Sequence, residues 1–184
     1  MSEIGTAHFD SHYEEIRWVA RVRHGDEAAM TLLMDRHRRK VLRVAANVLR
    51  DLNEAEDVAQ EAFLKAFREI GKLREDRAFP GFLYRICVRL CMDRLRSRKP
   101  QTEVLDQPVP SQGSAVETKV LVERLLERLS PEMRMTLVLR EMEQFSYDEV
   151  AEAMGIPVGT VRSRLHVARE RFRQLWIEET QEAS

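Results

Sequence analysis

Apolar residues recur three and four positions apart along almost the whole chain, and no stretch alternates convincingly as a half-buried strand would. That spacing lays apolar side chains along one stripe of a helix, so the chain must fold as helices packed stripe to stripe. Seven Gly and six Pro in 184 residues suit such an all-α fold and argue against a loop-rich all-β one. No apolar run reaches the length of a membrane span, and the opening MSEIGTAHFD lacks the charged-then-apolar order of a secretion signal. A cytoplasmic protein without direct membrane insertion is expected.

The pattern predicts a short first helix over residues 13–24, then a break and cap at Gly25-Asp26 and a longer helix ending near Leu49. Asn53 is placed to cap a third helix, 54–71. The loop LREDRAFPG separates it from a fourth, 82–98. Beyond it, Pro100, Pro108, Pro110 and Gly113 interrupt the periodicity, and QPVPSQGSA reads as an extended linker. Two small helical domains are therefore expected, 1–99 and 117–184, joined by a flexible linker at 100–116. A tether of that length suggests domains that bind different sites on something larger.

The strongest local signal lies in residues 145–173. Ser146 and Glu149 have the spacing of a capping box that starts one helix. Ala151, Gly155 and Val161 fall where a helix-turn-helix needs a small contact, a tight turn and an anchoring apolar residue. On the second helix, Val161, Leu165, Ala168, Phe172 and Leu175 form one apolar stripe. The opposite face carries Ser163, His166, Val167 and Glu170, bordered by Arg162 and Arg173 on one side and Arg164 and Arg171 on the other. Base edges in a major groove would meet the strip and phosphates the arginines, and Arg169 is counted among the DNA-binding residues. The start of the helix, Val158-Gly159-Thr160, offers free N–H groups to a phosphate.

Two helices of the first domain have opposite chemistry, which the net charge of −1 conceals. Between 51 and 61, Asp51, Glu54, Glu56, Asp57 and Glu61 stand without a basic residue. Asp57, Gln60 and Glu61 share one face, and Ala59, Phe63, Ala66 and Ile70 line the other. The fourth helix gathers Arg85, Arg89, Arg94, Arg96, Arg98 and Lys99 against Asp93. Arg74, Arg77, Phe79, Phe82 and Tyr84 stand at or just before its start. Aromatics that stack on unpaired bases, interleaved with arginines that hold the backbone, make a grip for single-stranded DNA. Phe79 and Phe82 are also candidates for the core.

No glycine-rich phosphate loop, paired catalytic carboxylates or nucleophile motif is present, so no enzyme, catalytic residue, cofactor or metal site is expected. Cys87 and Cys91, four apart, do not have the spacing of a zinc or redox pair and read as small packing residues. A stand-alone helix-turn-helix regulator is the alternative. Such a protein normally reads a palindrome as a two-fold dimer, and no dimer seam is visible.

The stretches EAEDVAQEAFLKAF, AFPGFLYRICVRLCMDRLR and LSPEMRMTLVLREMEQFSYDEVAEAMGIPVGTVRSRLHVAR resemble, in that order, three segments of the extracytoplasmic-function sigma factors. In that family they bind RNA polymerase, melt the promoter and read the −35 element. The resemblance spans roughly residues 26–176. It implies a promoter-reading subunit that partners core RNA polymerase, at its clamp coiled coil and flap, and promoter DNA. It also implies an anti-sigma factor as a partner. The family's polymerase contacts fall on Asp57, Gln60 and Glu61. Its loop that captures a flipped −10 base falls on about Arg74–Phe79, with melting positions through Phe82, Tyr84, Arg85 and Arg89. Its duplex-facing positions fall on Arg162, Ser163, Arg164, His166 and Val167. Phe82 stands where the family usually has Trp, Arg89 where it has Asn, and Pro80-Gly81 is an unusual pair there.

Overall fold

A computed structural model describes the backbone of residues 4–98 and 115–182 and the side chains of 13–98 and 118–181. Every regular element among them is helical: α1 Ile4–Val22, α2 Glu27–Leu49, α3 Leu52–Arg68, α4 Phe79–Ser97, α5 Ala115–Glu127, α6 Pro131–Leu137, α7 Tyr147–Met154 and α8 Val158–Glu182. Short 3₁₀ turns at Ile70–Lys72 and Asp76–Ala78 join α3 to α4, and a π turn at Val138–Met142 extends α6.

The helix ends follow local chemistry, and three of them differ from the sequence expectation. α1 begins well before residue 13, because nothing between Gly5 and Tyr13 interrupts backbone pairing. α3 is capped by Asp51 and not by Asn53: the Asp51 carboxylate accepts the Glu54 N–H at 3.0 Å, and Asn53 lies within the first turn. α4 starts at Phe79, so Phe79-Pro80-Gly81 is helix where a loop was expected. Pro80 fits the first turn, where its missing N–H has no helical partner to lose. At the C-terminal end, α8 runs on to Glu182. The expected linker, 100–116, lies outside the described residues apart from its last two, which already belong to α5.

Val41, Val44 and Val48 of α2, Val58 and Phe63 of α3, and Leu83 and Cys87 of α4 fill the centre of the N-terminal half. Leu125, Met135, Leu139, Val150, Val161, Leu165 and Leu175 do so in the C-terminal half. Arg134 is buried there. Its guanidinium donates to the Leu126 and Glu127 carbonyls, each at 2.8 Å, closing the end of α5 where carbonyls have no helical partner. Burial pulls its pKa below the ordinary arginine value, a cost that the two carbonyl bonds offset.

The halves are also seated against each other. The Glu143 carboxylate, fully buried, accepts from Arg43 and Asn47 of α2, both at 2.8 Å. Phe145, just before α7, is buried beneath Lys40, whose ammonium lies 4.2 Å from its ring centre. Arg96 of α4 pairs with Glu132 of α6 at 2.8 Å, and Arg85 of α4 reaches Glu152 of α7. One continuous core results.

Candidate nucleic-acid interface

The helix-turn-helix forms as its residues require. The Ser146 hydroxyl accepts from the Glu149 N–H at 3.1 Å, and the Glu149 carboxylate accepts from the Ser146 N–H at 2.7 Å, so two end donors of α7 are satisfied at once. Gly155 closes α7 with φ +66°, a left-handed turn that L side chains adopt only with strain. Ala151 is buried at the helix crossing, and Val161, Leu165 and Ala168 anchor α8 below it. That anchoring turns Arg162, Ser163, His166 and Val167 outward, with Val167 about half exposed. Thr160 and Arg164 are half-buried at the edges of this strip.

Arg169 is placed differently from the rest. Its guanidinium is held by the Glu141 carboxylate at 2.5 and 3.0 Å, a bond that raises its pKa further. Beside the strip, a groove of about 390 Å³ runs between the α5–α6 corner and α8, lined by Leu129, Met133, His166 and Val167 among others.

On α3 the acidic face is open. Asp57 and Gln60 are exposed, while Val58, Ala59, Ala62 and Phe63 hold the helix to the core. Glu61 is partly covered. A hydrogen bond from Lys65 at 2.8 Å and the approach of Arg94 keep its carboxyl below the usual range, so it stays ionised. Leu52 and Leu64 stand exposed on the same helix. Neither was singled out in the sequence.

The proposed single-strand residues are divided by the fold. Phe79 is fully buried, stacked on Phe67 with ring centres 6.3 Å apart. Its role here is the core. Tyr84 is buried as well, its hydroxyl 3.4 Å from His37 Nδ1 and its ring edge against Phe145. Burial pushes the phenol pKa up strongly. Phe82 is partly exposed, and Arg74, Arg77, Arg85 and Arg89 are exposed. Arg77 is bound to Glu75 at 2.5 Å. Arg85 donates through Nε to the Glu152 carbonyl at 3.2 Å and faces its carboxylate at 3.5 Å. Arg89 remains on the same exposed face.

Cys87 and Cys91 are both buried free thiols. A hydrogen bond with Cys91 and burial drive the Cys87 pKa well up, away from the reactive thiolate, as packing residues require. Among the described residues no cluster of side chains suits a metal ion, and no helix is long and apolar enough to cross a membrane. Glu143, Phe145 and Glu152 carry the join between the halves and were not anticipated from the sequence. Phe145 had one signal available, an aromatic directly before a capped helix.

Comparison with known proteins agrees with this geometry over both halves. Residues 33–101 match the Sigma-70 region 2 family and residues 119–172 the Sigma-70, region 4 family. The chain is similar to the RNA polymerase sigma-H factor of Pseudomonas aeruginosa, 36% identical over 83% of this chain and 88% of that one. It is 38% identical to the ECF RNA polymerase sigma factor SigM of Mycobacterium tuberculosis over 82% of this chain and 79% of that one. It is 36% identical to the ECF RNA polymerase sigma-E factor of Escherichia coli, covering 83% and 88%. Among solved structures it is similar to CnrH in complex with the cytosolic domain of CnrY, at TM-score 0.71 and 23% identity, covering 89% of this chain and 97% of that one. A second similar structure is the sigma factor RpoE in complex with the anti-sigma factor NepR from Bartonella quintana, at TM-score 0.62 and 20% identity, covering 79% and 95%.

Proposed function

This chain belongs to the sigma-70 family, in its extracytoplasmic-function branch, and on that basis we propose how its surfaces divide the work of starting transcription. It is a promoter-reading subunit of RNA polymerase, neither an enzyme nor a stand-alone regulator. The acidic face of α3, through Asp57, Gln60 and Glu61, docks on the clamp coiled coil of core polymerase. The helix-turn-helix domain meets the flap and lays α8 in the major groove of the −35 element, with Arg162, Ser163, Arg164, His166 and Val167 toward the bases and nearby phosphates. Thr160 and the helix start take a phosphate.

The α4 end of the first domain then takes bases of the non-template strand at the −10 element, through Phe82, Arg74, Arg77, Arg85 and Arg89, with Tyr84 buried behind them. Melting is driven by binding. Flipping a base costs a few kcal/mol, offset by stacking on aromatics and by backbone contacts. Phe79 supports that site from the core. Residues 1–99 and 117–184 act as the two working domains, with 100–116 between them.

The observation that carries this reading is the separation of charge by element. Asp57 and Gln60 stand open on α3, while arginines border the outward faces of α4 and α8. An anti-sigma factor is proposed as the controlling partner, supported by the complex of RpoE, a protein of this fold, with NepR. The place of action is the cytoplasm, where polymerase and chromosome are. Transcription in vitro with core polymerase on a promoter library tests the whole proposal. Defined start sites that require this chain are expected, and retention by core without any initiation would overturn it. Arg89→Ala is expected to slow open-complex formation more than it weakens initial binding; equal loss in both would remove the melting role.

A further inference from the structure

We propose that Arg23, at the corner between α1 and α2, is a positioning residue for promoter melting. It fixes the shape of the loop before α4, and thereby the base that the loop accepts, without touching DNA itself. This role deepens, and rests on, the assignment of that loop to a flipped base of the −10 element.

The corner holds this side chain in place. Backbone bonds from the His24 N–H to the Arg21 carbonyl and from the Gly25 N–H to the Val22 carbonyl, both at 2.9 Å, close the end of α1. Gly25 turns the chain at φ +82°, and Asp26 caps α2 while accepting from Arg21 at 2.8 Å. Arg23 leaves the corner half-buried and crosses to the segment between the two 3₁₀ turns. Its Nε donates to the Asp76 carboxylate at 2.8 Å, and its Nη2 donates to the Leu73 carbonyl at 2.7 Å. One planar guanidinium pins the loop on both sides of Arg74-Glu75.

What is pinned is exposed chain between buried ends. Leu73 is buried at one end and Phe79 at the other, while Arg74, Glu75 and Arg77 stand exposed between them. Arg77 pairs with Glu75, an internal bond that does not tie the loop to the domain. A loop that receives an unstacked base selects it by where its polar groups are held, so the bonds that fix the backbone fix the preference. Arginine is required for its fork. A lysine would carry the charge on a flexible stem, as a point donor that cannot hold two acceptors in one plane. The Arg23 charge is answered by Asp76, with the two side chains only 26% and 25% exposed. Arg23 therefore contributes shape and not attraction to phosphate.

Holoenzymes assembled from core polymerase and the full chain test this on promoters in which each −10 base is varied in turn and the −35 element is held constant. The readout is the ratio of open-complex rates between the best and the worst base at each position. Arg23→Ala and Arg23→Lys should each reduce that ratio about three- to tenfold at one −10 position. Asp76→Ala should reduce it less, because the Leu73 bond survives, and added to Arg23→Ala it should cost nothing further. Where the alanine at 23 impairs folding, the lysine and Asp76 variants carry the same test. Retention by core and preference across a matching −35 set should be unchanged in all of them. A merely structural role would slow initiation on every promoter by one factor and leave the ratios as in wild type. That result, or full discrimination by Arg23→Lys, would overturn the proposal. Arg74→Ala separates it from the loop assignment. If Arg74→Ala shifts the −10 preference and the Arg23 variants do not, Arg23 loses its role and the loop keeps its own. If wild type shows no −10 preference and Arg74→Ala leaves open-complex rates unchanged, the loop assignment falls and the positioning role with it.

Discussion

The rings of Tyr84 and Phe145 meet edge to face, with centroids 5.3 Å apart and planes at 73°, and each belongs to a different one of the two matched regions. Aromatic pairs in this geometry add to the burial of their area. Phe145 is only 2% exposed, so removing its ring leaves a cavity shared by both halves. Phe145→Ala is expected to lower the unfolding free energy by about 3–5 kcal/mol. Urea denaturation followed by circular dichroism measures it. A loss under about 1 kcal/mol would mean that the ring does not sit in a packed join.

Asp57→Ala combined with Gln60→Ala is expected to abolish retention by core polymerase. Both side chains point away from the core, so stability should change by less than about 0.5 kcal/mol per site. Pull-down with purified core, beside a urea melt of the same variant, separates the two effects. Unchanged retention would remove the α3 face from the docking surface.

What the sequence alone disclosed was mostly local. The capping box of Ser146 and Glu149 and the turn at Gly155 were legible because each is set by residues within a few positions. The buried stripe of α8 was legible for the same reason, through a single period. Asp51 and Asn53 show where this fails: both side chains can cap, and the choice depends on where α2 ends at the left-handed Arg50. Phe79 carried two readings, stacking platform and core residue, and its packing on Phe67 decides for the core. The join between the halves was not legible. Glu143, Phe145 and Glu152 meet Arg43, Lys40, Tyr84 and Arg85 across long stretches of chain, and no periodicity encodes such a meeting.

Two arginines of α8 should behave differently toward promoter DNA. Arg162 is exposed on the base-reading side, with its guanidinium 6.0 Å from the Tyr147 ring centre. Arg162→Ala in the holoenzyme should cost about 1–3 kcal/mol of promoter affinity and relax preference at one −35 position. Arg169 is already held by Glu141, in an exposed pair. Arg169→Ala should weaken binding by at most about threefold, without changing sequence preference. Binding titrations against a set of −35 substitutions check both. A loss of base preference on changing Arg169 would return it to the reading strip.

The pair between Arg96 and Glu132 gives the join a pH dependence of fixed sign. A hydrogen bond from Arg96 holds the Glu132 carboxyl below its ordinary value of 4.5, with Arg164 adding a smaller attraction. A carboxyl whose folded pKa is depressed contributes stability that is fully present above its unfolded value. That contribution is lost as pH falls through the lower folded one. Wild type should therefore be more stable than Glu132→Gln at about pH 7, and the gap should hold constant down to about pH 5. Below 4.5 the gap should narrow, because the proton that neutralises Glu132 in wild type makes it resemble the amide. Urea melts of both chains across this range read the difference directly. A gap that stays constant or widens in acid would mean that the carboxylate gains nothing from Arg96, and that α4 and α6 are joined by packing alone.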